Sequence, residues 1–510
     1  MSSQRKSGVL LTYLGLFVNL LSGFVLVPLM LKLLGQDEFG LYNIVGSFLA
    51  YLIVLDMGLA NAVIYFVSKY KANNERKGEE NFLATIQIFY LLLTAVLIVA
   101  SAVIYRYLPV MFGKSLSADD IEKLKIMFVI LVINASVTLL SNVFQSVITA
   151  YEKFFFISIT NVLRQLFRIM FIVIVMFAGY KIIAVVMVDT IIAVAFCIWK
   201  VYYAVVHLRI RMKLHSFKKA YISEVFRYAF FIFLIMLVSR ITWEADSVIL
   251  GVMTSASTVA LYAVSVQFSQ TYMNFSTAIS NVLMPKTVAS IEQGATNEEL
   301  TAEMIRVGRL QLIVCGLVLS GFILFGRKFI VMWAGSEFTF AYYLALIVMV
   351  PMTISLCQSL GINILQAQNK HHFRAILYSI MAIVNIVVSV VLVRWIGVTG
   401  AAVGTAVSII FGNIIGINVY YHKVIGLNMF RFFREVSKGL LPAVLFSLIL
   451  GSGTALIRDA SWILLGLQMM LYVLVYSVIM WAYAFNSFEK RLFFGMTKGI
   501  VSKYKKRMSH

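Results

Sequence analysis

A chain of 510 residues that is 61% hydrophobic and 13% charged, with mean hydropathy +0.92, lies far outside the soluble globular range and reads as a polytopic membrane protein. Its formal net charge of +21 would suggest nucleic acid as a partner for a soluble protein, but in a membrane protein basic cytoplasmic loops account for it, and no nucleic-acid partner is expected. The three cysteines, Cys197, Cys315 and Cys357, all fall in apolar runs and offer neither a disulfide framework nor a metal spacing.

Counting apolar runs of about 20 residues predicts fourteen transmembrane helices. They fall near 8–31, 41–66, 82–108, 126–149, 154–178, 182–206, 226–250, 256–284, 307–328, 340–366, 375–394, 398–421, 438–458 and 461–485. The first run has no small-residue cleavage site and is expected as a retained helix rather than a signal peptide. With the N-terminus inside, the inside segments hold 28 of the 43 Lys and Arg residues and the outside ends and loops hold ten. That asymmetry, with an even helix count, predicts both termini in the cytoplasm. The basic tail Lys503-Tyr-Lys-Lys-Arg507 is read as a solvated or headgroup contact.

The longest basic loop, 207–225, divides the chain into halves: a six-helix lobe over 1–206 and a second over 226–422, followed by helices thirteen and fourteen over 438–485 and a basic tail over 486–510. A faint repeat supports this division. Ala150-Tyr-Glu-Lys153 follows the fourth run and Ala367-Gln-Asn-Lys370 the tenth, while Leu34-Gly35 before Gly40-Leu-Tyr42 is echoed by Leu250-Gly251 before Ala260-Leu-Tyr262. Six helices separate the copies, so both keep one orientation, the parallel-repeat arrangement of two-lobed transporters.

Polar residues inside apolar runs carry the functional signal. Asn161, Arg164, Gln165 and Arg168 fall within an arc of about 100° on the fifth run, so two guanidinium groups share a face that lipid cannot solvate. Either they meet an anion in a polar cavity or they balance carboxylates on neighbouring helices. Further stripes occur at Asn134, Thr138, Ser141, Asn142, Gln145 and Thr149; at Gln267, Gln270, Asn274 and Asn281; and at Ser355, Gln358, Ser359, Asn363 and Gln366. Each alone is explained by interhelical hydrogen bonds, whereas stripes in both halves suggest a hydrated cavity between lobes. On the seventh run Arg240 and Glu244 stand four residues apart, with Asp246 about 240° round from Arg240. Their simplest reading is a self-compensating pair; the other is a ligand contact by Arg240 and ion coupling through Glu244. Asp56 and Asp189 are two more intramembrane carboxylates, either of which could partner Arg164 or Arg168. Pro28 and Pro351 lie within helical runs, and His371-His372 in a short loop reads as solvated. No nucleophile motif, phosphate loop or metal spacing is present, so no enzyme is expected.

The stretches Leu26-Val-Pro-Leu-Met-Leu-Lys-Leu-Leu-Gly35, Glu38-Phe-Gly-Leu-Tyr42 and Leu55-Asp-Met-Gly-Leu-Ala60 through Ser68-Lys-Tyr-Lys71 resemble the N-terminal signature of bacterial polysaccharide transporters. Gln366-Ala-Gln-Asn-Lys370 and Gly397-Val-Thr-Gly-Ala-Ala-Val-Gly404 resemble that family's second-half signature. These are the O-antigen and capsule flippases of the superfamily that also holds multidrug extruders and the lipid II flippase. The resemblance implies an all-α fold of the multidrug-extruder type in a bacterial inner membrane. It implies a flippase carrying undecaprenyl-pyrophosphate-linked oligosaccharide to the outer leaflet by alternating access, driven by a proton or sodium gradient and serving a glycan polymerase. On that reading Arg164, Arg168, Arg240, Asn161, Gln165, Gln267, Gln270 and Asn274 contact substrate, and Glu244, Asp56 and Asp189 are coupling candidates. The alternatives are a drug or cation antiporter or lipid II flippase of the same fold, and a membrane glycan polymerase or ligase. The antiporter would want carboxylates in its cavity, and the polymerase a larger outer loop than Pro109–Lys125.

Overall fold

The computed structural model describes residues 3–56, 58–215, 219–368, 370–455 and 461–491, and every described element is helical. The helices are α1 (Ser3–Leu34), α2 (Gln36–Ile53), α3 (Leu59–Ala72), α4 (Arg76–Phe112), α5 (Ala118–Ala150), α6 (Phe154–Phe177), α7 (Ile182–Tyr202), α8 (Lys219–Met253), α9 (Ala256–Glu292) and α10 (Asn297–Ala334). They continue as α11 (Thr339–Cys357), α12 (Leu360–Ala367), α13 (His371–Ile396), α14 (Val398–Ile409), α15 (Ile417–Tyr420), α16 (Met429–Ser437), α17 (Leu440–Ala455) and α18 (Trp462–Ile479). Among the described residues ten helical stretches are long and apolar enough to cross a membrane, which makes this a multi-pass membrane protein. The basic tail Lys503–Arg507 lies outside the described residues, as do the side chains of Asn281, His371 and His372.

Two expected helices are broken. The run 41–66 is α2 and α3 joined by a 3₁₀ turn over Val54–Asp56, with Gly58 at φ 69° in the left-handed region that glycine tolerates best. A carboxylate at Asp56 explains the interruption. It accepts hydrogen bonds from Tyr90 Oη at 2.5 Å and Asn142 Nδ2 at 3.2 Å, and one from the backbone N–H of Ala60 in the first turn of α3. There the helix dipole also favours negative charge. The run 340–366 likewise restarts, with α11 ending at Cys357 and α12 beginning at Leu360. Pro28 and Pro351 sit inside α1 and α11 without ending them.

The chain divides into two compact units, Met1–Ala263 with Ala382–Ala401, and Val264–Met381 with Ala402–His510. In the first, α1 lies along α6, and α5 packs against α7, α4, α3 and α2. The polar stripe on α5 is spent on these neighbours: Asn134 Nδ2 donates to Thr190 Oγ1 at 3.3 Å, Ser141 Oγ to Cys197 Sγ at 3.0 Å, and Asn142 to Asp56. In the second, α10 is the axis, packed by α11, α16, α17 and α18. At about 57 Å it overruns a roughly 30 Å hydrocarbon core, and its first turn carries a reciprocal cap between Thr296 and Glu299. Just inside, buried Arg309 uses all five N–H groups. It donates to Glu489 Oε1 at 2.6 Å and Oε2 at 3.1 Å, and to the carbonyls of Glu435, Lys438 and Ala484 at 3.0, 3.0 and 2.9 Å. This latch ties the ends of α16 and of the last helix to α10. The stripe on α11 and α12 is spent within the same unit: Ser359 Oγ accepts from Gln311, Gln358 donates to the carbonyl of Asn413, and Asn363 to that of Ser280.

Candidate functional site

Helices α6 and α7 form an antiparallel hairpin in the first unit, and their facing side chains hold charge at two levels. On α6 the face that includes Leu166, Phe167, Met170 and Ile174 is exposed and apolar, as lipid requires. The opposite arc carries Asn161, Arg164, Gln165 and Arg168. On α7, Asp189 and Lys200 are eleven residues apart and therefore share a face within about 20°. Their separation along the axis is about 16 Å.

At the level of Asp189 the charges cancel. Arg168 Nε donates to Asp189 Oδ1 at 2.6 Å and Nη2 to Oδ2 at 3.3 Å, a forked pair. Tyr42 Oη closes the triangle, accepting from Arg168 Nη2 at 2.9 Å and donating to Asp189 Oδ2 at 3.0 Å. Arg168 here balances a half-buried carboxylate.

At the level of Lys200 they do not. The Lys200 ammonium, 5% exposed, donates to Gln145 Oε1 at 2.7 Å and to Asn161 Oδ1 at 3.5 Å, both neutral amides. Arg164 is its electrostatic neighbour and repels it. Arg164 has no hydrogen bond or ion pair among the described residues, and neither has the half-buried Gln165. Two cations thus stand together on membrane helices with amide oxygens as their only described partners. Lys200 did not enter the expected site because it sits near a helix end, where a lysine ordinarily reaches for water. The eleven-residue spacing from Asp189 was the available signal.

The remaining expected residues fall in separate places. Arg240 Nη1 lies 3.6 Å from Glu244 Oε1, and Glu244 Oε2 accepts from Ser47 Oγ on α2 at 3.1 Å, so the pair is self-compensating with a third partner. Asp56 is held by neutral donors at the α2–α3 break and meets neither Arg164 nor Arg168. Asp246, fully buried, accepts from Tyr262 Oη at 2.7 Å and Ser389 Oγ at 2.8 Å. Gln267, Gln270 and Asn274 belong to the second unit. Of these Gln270 and Asn274 are exposed and Gln267 is half-buried.

A family model described as "Polysaccharide biosynthesis protein" matches residues 5–291, more than half of the sequence and the part that builds this hairpin. The chain belongs to that family. No curated protein matches it. Among solved structures, a lipid II flippase MurJ in an inward closed conformation superposes with a TM-score of 0.75 at 16% identity, covering 92% of this chain and 98% of the other. An inward-facing MATE-family multidrug resistance transporter of the MOP superfamily gives 0.65 at 12% identity, covering 79% and 93%. A mutant of the MATE transporter VcmN from Vibrio cholerae gives 0.57 at 12%, covering 84% and 99%. At these identities the likeness establishes the fold, and this polysaccharide biosynthesis family member has the helical architecture of MurJ and MATE transporters.

Proposed function

We propose that the protein is a flippase for undecaprenyl-pyrophosphate-linked oligosaccharide in a bacterial cytoplasmic membrane, working by alternating access with fourteen spans and both termini inside. The observation that carries this reading is the uncompensated Arg164 and Lys200 pair. A cation at the middle of a membrane helix, as Arg164 is, costs roughly 2.5–3.5 kcal/mol on the insertion scale, and for Lys200, nearer a helix end but buried, neutral amides offset only part of the smaller cost of desolvation. An anionic ligand relieves it. Two cations on adjacent helices suit a diphosphate, since the guanidinium can fork onto one phosphate while the ammonium acts as a point charge on the other. The polyprenyl chain remains in lipid and no covalent bond changes. Counting from the start of α6, a 1.5 Å rise puts Arg164 about 15 Å deep, near the middle of a roughly 30 Å core.

The family supports a glycan substrate, and the likeness to a lipid II flippase is consistent with a lipid-linked one. A drug or cation antiporter fits less well, because two unpaired cations repel its cargo. The test is leaflet transfer of fluorescent lipid-linked oligosaccharide in proteoliposomes. Arg164→Gln and Lys200→Gln should each lower transfer at least about tenfold, the scale of one lost charge-assisted contact. Arg164→Lys should fall between them and the wild type. Wild-type transfer in the double variant would remove the ligand reading. Elongation of the glycan in the same vesicles would indicate the polymerase instead.

A further inference from the structure

The segment after α7 is a strap. From Leu208 to Lys213 its residues alternate: Leu208, Ile210 and Met212 turn toward the hydrophobic cluster of α3, α4 and α5, while Arg209, Arg211 and Lys213 are exposed. Its far end is pinned by the His215 backbone N–H, which donates to Asn81 Oδ1 at 2.7 Å, and by the His215 ring against Glu80 Oε2 at 3.1 Å. Between the strap and the α3–α4 turn lies a cleft of about 420 Å³, within the size range of small-ligand sites.

The cleft is lined by four cationic side chains, Lys71, Arg76, Arg209 and Arg211, against two carboxylates, Glu79 and Glu80. Both carboxylates are engaged: Glu79 Oε1 accepts from Tyr151 Oη at 2.8 Å, and Glu80 has His215 and, at 4.0 Å, Arg76. Lys71 places its ammonium 4.4 Å over the Tyr151 ring. Arg209 and Arg211 have no hydrogen bond or ion pair among the described residues. Arg209 also holds φ 51°, an uncommon conformation for a side-chain-bearing residue, which the hydrogen bond from Ile210 N to Ala204 O helps maintain. The lining residues follow or precede the ends of the apolar runs 41–66, 82–108, 126–149 and 182–206 by a few positions. At 1.5 Å per helical residue that places Lys71, Arg76, Glu79 and Glu80 within about 9 Å of the hydrocarbon edge, the headgroup layer, on the face the charge asymmetry assigns to the cytoplasm.

We propose that the cleft between the α3–α4 turn and the 207–215 strap binds a phosphate group at the membrane surface, with Arg209 and Arg211 as its donors beside the Lys71 ammonium. The phosphate belongs to the headgroup of an anionic phospholipid or to a free anion. The site is distinct from the Arg164 and Lys200 pair and does not depend on the transport reading.

The test uses the full chain purified in detergent at low ionic strength. Dioctanoyl phosphatidylglycerol, dioctanoyl phosphatidylcholine and inorganic phosphate are titrated separately and in competition by native mass spectrometry. The wild type should bind phosphatidylglycerol in preference to phosphatidylcholine, and Arg209→Gln/Arg211→Gln should weaken this by roughly tenfold or more. Arg431→Gln/Arg434→Gln removes the same charge from the exposed face of α16 and should leave the affinity unchanged. Displacement of phosphatidylglycerol by inorganic phosphate would assign a free anion, and its failure to displace would assign the lipid headgroup. Equal binding of the two lipids, an unaffected strap variant, or an equal loss in the α16 control would each overturn the proposal.

Discussion

Arg164 and Arg168 lie one helical turn apart, and their surroundings predict opposite responses to the same substitution. Replacing Arg168 with Gln leaves Asp189 with Tyr42 as its only remaining described donor. Breaking a buried pair in this way costs about 3–5 kcal/mol. The side chains of Arg168 and Asp189 retain 26% and 17% exposure, which reduces the expected loss to about 2–4 kcal/mol. Arg168→Gln/Asp189→Asn removes both charges and should recover most of that loss, giving a coupling energy of about 2 kcal/mol in the double-mutant cycle. Arg164→Gln orphans no carboxylate and relieves repulsion with Lys200, so its stability should stay within about 0.5 kcal/mol of wild type or rise. Transfer of lipid-linked glycan should show the reverse order, with Arg164→Gln impaired and the Arg168→Gln/Asp189→Asn variant active. Denaturant unfolding in detergent, read by intrinsic fluorescence, supplies the stabilities and proteoliposome transfer supplies the activities. A double variant as unstable as Arg168→Gln alone, or Arg164→Gln destabilised equally with Arg168→Gln, would refute the assignment of one arginine to structure and the other to ligand.

Arg309→Met should destabilise the second unit by about 3–5 kcal/mol, because the buried Glu489 charge is left with only the neutral Asn486 donors and three carbonyls lose the Arg309 donors together, and Arg309→Lys should recover little since an ammonium cannot reach all of them; unfolding midpoints check both. Gly58→Ala should lose about 1 kcal/mol from the left-handed backbone alone, measurable in the same assay. Cysteines introduced at exposed Ser117 and Ser336 should react with an impermeant reagent from outside the cell while one at Asn74 should not, and the native cysteines are buried and contribute little background; outside labelling at Asn74 would invert the topology. If Glu244 or Asp56 titrates during transport, Glu244→Gln or Asp56→Asn should abolish gradient dependence while substrate binding persists; unchanged dependence in both would remove them from coupling.

The sequence alone was sufficient for the all-helical membrane class and for the family, because hydropathy over about 20 residues is a local property and the family motifs are contiguous. It also placed Arg164, Arg168, Arg240, Glu244, Asp56 and Asp189 on apolar runs. Pairing is not local. Arg164 and Arg168 share a helix face and a residue type, yet one meets Asp189 and Tyr42 while the other meets Lys200, because α7 runs antiparallel to α6 and presents a carboxylate at one level and an ammonium at the next. The same holds for the break at Asp56: composition reads 41–66 as one helix, and the donors that interrupt it, Tyr90 and Asn142, come from α4 and α5. The stripe on α5 read as one polar face, but tertiary packing distributed it among a capped break, a neutral hydrogen bond and a lysine. Which polar residue is satisfied and which is left for a ligand depends on groups tens of residues away in the chain, and only the packed structure brings those together.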